Sequence, residues 1–152
     1  MPVTVTGDKA LLAKMAATPT RTIARLEPLG QAALQPMKAS AKANAATHRQ
    51  PHNPAGGHLD QGIVIQKIPG QPTLTRQFWL SLTGRARKIG HLVEFGTAPH
   101  YQPRRKRMHP GAKAKPFMTP AYEQNKAEAI GIVSNGLWAS IVAAAGAIGG
   151  KS

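Results

Sequence analysis

The stretch 91–123 constrains the fold most, because it has the features of one helix end, a long loop and a second helix start. Apolar residues recur at helical spacing within residues 83–95, and this spacing predicts an amphipathic helix there. Gly96 stands where a residue with positive φ can end that helix without strain. After the loop, Thr119 is placed to cap a second helix and Pro120 to occupy its first position, where a missing N–H costs nothing.

Two short blocks within this stretch resemble a known family. The first, LVEFGT, ends the helix, and the second, KPFMTPAYEQNKAEAI, begins where the loop ends. Together they resemble the HK97 gp10-like family of tailed-phage neck, head–tail joining and tail-completion proteins, whose pattern is Glu-Phe-Gly-Thr followed by Pro-Phe, a variable pair and Pro-Ala. An upstream segment, AKAN followed by GHL, also resembles this family, and the similarity covers roughly residues 35–135. The matching residues of the two blocks are Glu94, Phe95, Gly96, Thr97, Pro116, Phe117, Pro120 and Ala121.

The resemblance implies a structural virion protein of a tailed bacteriophage. Such a protein would form a homo-oligomeric ring in the neck and join head to tail, with DNA passing through its lumen. Rings of identical subunits arise from heterologous head-to-tail contacts that close. The implied partners are other copies of the chain, the neighbouring head-closure or portal-side and tail-side virion proteins, and genomic DNA bound non-specifically. The implied location is the virion, after assembly in the cytoplasm of the bacterial host.

The charge balance bounds the class of partner. Lys and Arg total 20 against 6 acids, a formal charge of +14, which indicates an acidic partner: nucleic acid, a membrane surface or an acidic protein. A membrane is the weakest of these, because the cations do not line an apolar helix and the apolar stretch 137–148 is too short to span a bilayer. The alternative function is therefore a sequence-independent basic nucleic-acid-binding protein. Aromatic residues are only 5% of the chain, so we expect a thin core that partner subunits complete.

Residues suited to catalysis or metal binding do not form a convincing set. The chain has no cysteine, and Asp60 is the acid nearest the first group of histidines, so solvated loop histidines are favoured over a metal site. Glu94 lies between two apolar residues and is expected to fix the following turn by a hydrogen bond or ion pair. No nucleophile elbow and no nucleotide-binding glycine pattern is present. We therefore expect no catalytic residue, no metal and no cofactor, and an enzyme such as a small nuclease is disfavoured. The six histidines considered are His48, His52, His58, His91, His100 and His109.

The basic loop over residues 98–115 is the strongest chemical signal in the sequence. Its prolines and its run of four cations predict a long loop without regular structure, which becomes ordered mainly in an assembly. Cations of this kind bind phosphates without distinguishing bases, or they dock on an acidic neighbouring protein. The alternative without a binding role is a solvated charged loop. The candidate DNA-lumen or partner-docking residues are Arg104, Arg105, Lys106, Arg107, Lys113 and Lys115.

The N-terminal third is expected to contain two helical segments. Residues 1–7 are an extended lead, Asp8 can cap a brief helix, and Thr18-Pro19-Thr20 interrupts it. A second helix over 21–47 carries an apolar stripe, but Pro28 and Pro36 predict that it is kinked or broken. Residues 48–62 form a second long loop by composition.

The remaining chain predicts a β-hairpin and a last helix. Residues 63–68 and 73–82 are β-branched or alternating, with a turn at 69–72 between them. Trp79 lies on the polar face of the second strand, either covered by a helix or at a subunit interface, where Trp is enriched. The last helix starts near Pro120 and has Ile130, Val133, Leu137 and Ile141 on one face, while residues 143–152 are a frayed tail. The expected fold is a single α+β domain over residues 1–152, with a small antiparallel sheet packed against a long N-terminal helix, a central helix and a C-terminal helix.

Overall fold

The computed structural model describes residues 8–48, 58–69 and 76–149, so the predicted lead over residues 1–7 lies outside the described part. The α+β class is confirmed, with long helices at both ends of the described chain and two small antiparallel sheets between them. The helices are α1 (Asp8–Ala46), α2 (Gly84–Phe95) and α3 (Met118–Gly149), and the strands are β1 (Ile63–Lys67), β2 (Phe78–Leu82), β3 (His100–Gln102) and β4 (Arg107–His109). Two 3₁₀ turns, Leu59–Gly62 and Pro103–Arg105, precede β1 and β4.

The first helix is continuous, so the predicted interruption at residues 18–20 is wrong. Of the kink or break predicted at the later prolines, the break is wrong and the kink stays a prediction. α1 runs for 39 residues and contains Pro19, Pro28 and Pro36. Each proline lacks an N–H and removes one helical hydrogen bond, which costs about 3 kcal/mol in an isolated helix. Packing offsets that cost, because one face of α1 is buried along α3. The buried residues on this face follow one another at intervals of four: Ala33, Met37, Ala41 and Ala45.

α1 and α3 lie antiparallel, and small residues allow their close approach. Ala41 and Ala45 share a core cluster with Phe117 and Ala121, near the start of α3. Further along α3, Gly136 lies against Leu29, where any Cβ would overlap the leucine side chain. Alanine and glycine at these contacts therefore bring the two backbones together, and Phe117 and Ile63 supply the large, fully buried side chains.

The buried face of α3 differs from the predicted one. Val133 packs on the core as expected, but Ile130 and Ile141 are exposed, and Ala129, Ile132 and Ser140 are buried or partly buried instead. The close contact with α1 selects the face with the smaller side chains, which a count of apolar residues does not favour. α3 continues to Gly149, so residues 143–149 are helical, and the fraying expected from residue 143 stays a prediction.

The predicted hairpin is present as the sheet β1–β2. The strands pair antiparallel, with Ile63 opposite Leu82 and Ile65 opposite Leu80. Leu80 and Leu82 pack on the core, as the alternation predicted. Trp79, on the other face, is 63% exposed, so the predicted cover by a helix is wrong and the interface interpretation stays a prediction.

The central helix forms where the sequence predicted, but its buried face is displaced. Ala86, Gly90 and Glu94 are buried on α2, and Val93 packs on the core, while Ile89 and Leu92 remain largely exposed. The charged Glu94 therefore takes an inward position that an apolar side chain would ordinarily occupy. The candidate site is built around this buried carboxylate.

Candidate functional site

Glu94, near the end of α2, accepts hydrogen bonds from the first residues of α3. Its Oε2 accepts the N–H groups of Phe117 at 2.8 Å and Met118 at 3.0 Å. Its Oε1 accepts the N–H of Thr119 at 2.8 Å and the Thr119 hydroxyl at 2.6 Å. One buried carboxylate thus satisfies three backbone donors that have no partner within the helix.

This arrangement corrects the predicted helix cap. Thr119 was expected to cap α3 with Pro120 in the first helical position, but the helix already begins at Met118. The Thr119 hydroxyl donates to Glu94, and the carboxylate of another helix performs the capping. Its negative charge also lies at the positive end of the α3 dipole, where it is stabilising.

The hydrogen bonds decide the ionisation of Glu94. Burial on its own raises the pKa of this carboxyl group, since the charged form loses hydration. The N–H of Met118, the Thr119 hydroxyl and the N–H groups of Phe117 and Thr119 outweigh burial, and they hold the pKa below its ordinary value of 4.5. Glu94 is therefore a carboxylate at neutral pH, with its oxygen lone pairs used for capping.

The backbone around Glu94 is fixed by the second block. Gly96 has φ 74° and ψ −175°, so the predicted positive φ is confirmed, although this extended conformation is not the left-handed helical one. Thr97 pairs with Ala112 through two backbone hydrogen bonds of 2.9 and 3.0 Å. The N–H of Lys115 donates to the carbonyl of Val93 at 2.8 Å.

Most of the motif residues meet in one unit. Phe117 and Ala121 are fully buried beside Glu94 and the α1 core, and Asn44 on α1 donates its side-chain N–H to the Phe117 carbonyl at 3.2 Å. This role of Asn44 was not predicted from the sequence, although Asn44 belongs to the resembling segment AKAN. Phe95 is outside the unit, because its side chain is 77% exposed. Pro116 is exposed and Pro120 half-buried.

The unit provides structure and no visible reactive group. Glu94, its central acid, has both oxygens occupied by backbone and hydroxyl donors. Within the described residues, no three His, Asp or Glu side chains lie close enough to hold a metal ion. His52, one of the histidines considered, lies outside the described residues.

The predicted loop over residues 98–115 contains a second hairpin, so the expectation of no regular structure is wrong there. β3 and β4 pair antiparallel, with His100 opposite His109 and Tyr101 opposite Met108. The rings of the two histidines stack with their centroids 5.1 Å apart. We call residues 100–109 the basic hairpin, because its four consecutive cations form the tip.

The cations of the basic hairpin are exposed, and within the described residues they form no ion pair. Arg104 and Arg105 lie in the 3₁₀ turn, Lys106 turns the chain with φ 47° and ψ 40°, and Arg107 starts β4. The described side chains form ion pairs between Lys67 and Glu27 and between Lys126 and Glu123, both away from this tip. Lys113 and Lys115, on the extended segment that follows, are also exposed.

The outward face of α3 is apolar and has no covering element in the described part of the chain. Ile130 and Trp138 are each 69% exposed, and Ile141 and Val142 about half exposed. At 3.6 residues per turn, these four side chains fall within about 120° of the helix circumference. Sequence reasoning missed Trp138, although its place outside the predicted apolar stripe was a signal that it does not belong to the core.

The apolar helix at the C-terminal end is longer than the apolar stretch seen in the sequence. Residues Met118–Gly146 form a helix long and apolar enough to cross a membrane by length and composition, with a mean hydropathy of 1.5, and little of its apolar part is buried. The stretch 137–148, considered too short from the sequence, is thus part of a longer helix. The first half of that helix packs on α1, and the absence of a membrane partner stays a prediction.

Comparison of the chain with protein-family models, with curated proteins and with solved structures gives no match.

Proposed function

We propose that this protein is a structural subunit of a tailed-bacteriophage virion, which assembles into a homo-oligomeric ring in the neck and joins head to tail. The proposal combines the resemblance of the two sequence blocks with one structural observation, the exposed apolar face of α3. On this proposal the protein lies in the virion, needs no cofactor or catalytic residue, and contacts head-side and tail-side neighbours.

The α3 face supports assembly because a free subunit would leave it in water. Ile130, Trp138, Ile141 and Val142 lie on one side of a helix that has no charged residue between Glu128 and Lys151. Monomeric soluble proteins rarely expose contiguous apolar patches of more than a few hundred Å². Tryptophan is also enriched at the centres of protein interfaces. A neighbouring subunit that covers this face would complete the thin core expected from the composition.

A ring requires two different surfaces on each subunit. In a heterologous contact, one patch of a subunit packs on another patch of the next, and the contacts close when the rotation per subunit divides a full turn. Phe95 on α2 and Trp79 on β2 are exposed aromatic side chains on elements other than α3. These residues are the candidates for the complementary patch, whereas a two-fold dimer would require only the α3 face.

The alternative function is a sequence-independent nucleic-acid-binding protein with no virion role. The exposed tip of the basic hairpin favours it, because phosphate binding needs clustered cations and no fixed base contacts. It explains neither the exposed apolar face of α3 nor the two-block resemblance. In the ring proposal the same hairpin faces either the DNA in the lumen or an acidic neighbouring protein.

Size measurement and electron microscopy of the purified protein test the proposal. We expect rings for the wild type, and smaller species for the double variant Ile130→Ser with Trp138→Ser. Met108→Ser is the matched control, since Met108 is equally exposed but lies on the basic hairpin. Monomers that bind DNA tightly would instead support the alternative function, and co-flotation of monomers with lipid vesicles would assign the α3 face to a membrane.

A further inference from the structure

We propose that the basic hairpin binds the sugar–phosphate backbone of double-stranded DNA, with its tip lying in the major groove. This inference deepens the proposed function, on which it rests for its role in the virion, because it assigns the hairpin to DNA and not to a neighbouring protein. The binding itself belongs to the single subunit and can be measured without ring formation.

The shape of the tip presents all four cations to solvent. The carbonyl of Pro103 accepts the N–H of Lys106 at 3.3 Å, and Lys106 adopts a left-handed conformation that reverses the chain. Consecutive side chains in such a tight turn point in different directions. Arg104, Arg105, Lys106 and Arg107 therefore surround the tip, an arrangement that fits a groove lined by phosphates on both sides better than a flat surface.

The part of the chain that the structure describes pairs no anion with these cations. No Asp or Glu lies between Glu94 and Glu123 in the sequence, and Glu94 is buried in the cap of α3. Within the described residues, none of the six cations from Arg104 to Lys115 forms an ion pair. Their mutual repulsion persists in the free subunit, so binding of a polyanion gains the electrostatic free energy that the fold leaves unused.

The phosphate density of duplex DNA and the width of its major groove make it a better partner for the hairpin than an acidic protein. A three-residue strand is about 10 Å long and paired strands lie about 4.8 Å apart, so the cations occupy a small area. A duplex carries one phosphate per about 1.7 Å of axis, or about six over the same 10 Å. Its major groove is about 12 Å wide and admits a two-stranded β-ribbon. An ordinary protein surface has no comparable density of carboxylates.

Lys113 and Lys115 extend the surface away from the tip. They follow the bridge between Thr97 and Ala112, in a segment without helical structure, and both are exposed. Both lysines therefore add exposed positive charge next to the hairpin, where phosphates of a bound duplex can contact it.

The contacts predict binding without sequence preference. The tip consists of arginine and lysine, while the exposed ring of Tyr101 lies on β3 opposite Met108. Stacking on unpaired bases therefore has little support, and phosphate contacts dominate. Each phosphate neutralised on a duplex contributes about −0.9 to the slope of log K against log salt concentration.

The test compares duplex binding by two double variants of the full chain that lose the same charge. Fluorescence anisotropy with a labelled duplex, between about 50 and 200 mM salt, gives affinity and salt slope. We expect Arg105→Gln with Arg107→Gln to reduce the magnitude of the slope by about 2 and the affinity at low salt by at least about tenfold. Lys38→Gln with Lys42→Gln, on α1, should change the slope little.

Four results would overturn the inference. They are equal slopes for the two double variants, no loss of affinity in the hairpin variant, equal affinity for a single strand of the same length, or stronger binding to polyglutamate than to the duplex. Thermal melting verifies that the hairpin variant folds, since its exposed tip contributes nothing to the core. Size measurement on the same samples separates the two proposals: rings with unchanged duplex binding reject only this inference, and monomers with hairpin-dependent binding reject only the ring.

Discussion

Glu94 and Thr119 lie 25 positions apart in the sequence and are joined by two hydrogen bonds to one carboxylate oxygen. Oε1 of Glu94 accepts the Thr119 N–H at 2.8 Å and its hydroxyl at 2.6 Å. The link closes the segment that contains the basic hairpin, so the hairpin projects from a base fixed on the core. The two sequence blocks are therefore two halves of one structural unit, and the basic hairpin between them is not part of that unit.

Replacing Glu94 by Gln should destabilise the protein strongly. Glutamine presents one acceptor oxygen and an NH₂ group, which would oppose the N–H donors at the start of α3. Loss of charge-assisted, buried hydrogen bonds predicts a cost of about 2–4 kcal/mol in the free energy of unfolding. Urea unfolding measures this cost, with Glu128→Gln as control on the exposed surface of α3. Equal stability of the two variants would reject the capping role.

Stability should also decrease in acid through the same group. The folded-state pKa of Glu94 lies below the ordinary value of 4.5, so its contribution is fully present above that value. As the pH falls from about 4.5 through the lower folded-state pKa, protonation removes the cap and this contribution is lost. Unfolding measured across this range should show a decrease in the wild type that Glu94→Gln lacks. A parallel decrease in both proteins would assign the acid sensitivity to other groups.

Phe117 should be the main aromatic contributor to the core. It is fully buried, and truncation of such a ring predicts a loss of about 3–5 kcal/mol for Phe117→Ala. Phe95→Ala is the matched control, because that ring is largely exposed and should alter subunit stability by less than about 0.5 kcal/mol. Chemical denaturation of both variants checks the contrast. A large loss of unfolding free energy in the Phe95 variant, with none in the Phe117 variant, would contradict the burial of Phe117.

Two glycine-to-alanine variants should have opposite effects. At Gly96, φ is 74° and a Cβ would lie 2.6 Å from the Ala112 carbonyl oxygen, so Gly96→Ala should cost more than about 1 kcal/mol. At Gly131, inside α3, a Cβ meets no atom within 4 Å, so Gly131→Ala should stabilise the helix by about 1 kcal/mol. Melting temperatures of the two variants measure the difference. Stabilisation by alanine at position 96 would contradict the described turn.

Local sequence signals predicted several elements because those elements depend on local physics. Thr83 and Gly96 mark the ends of α2, and the alternation ending at Leu82 predicted the strand β2. The role of Glu94 was predicted only in kind, as a hydrogen bond or ion pair that fixes the following turn. Its partners at the start of α3 were not predictable, because a carboxylate that caps a distant helix leaves no spacing rule in the sequence.

Two further errors concern contacts between distant segments. Pro28 and Pro36 predicted a broken helix because propensity describes an isolated segment, whereas burial along α3 decides this case. Ile130 was assigned to the core because it is apolar, but close approach at Gly136 turned the other face of α3 inward. In each case the deciding partner lies about a hundred residues away.

The pairing of α1 with α3 also sets the order of events during synthesis. The apolar face of α1 emerges from the ribosome before its partners Phe117, Ala121 and Ala129 have been made. Contacts between segments this distant in sequence carry a large loop-closure entropy, which slows folding. The nascent N-terminal half therefore lacks its α3 partners and stays accessible to chaperones and proteases. The domain folds only after translation has passed the start of α3.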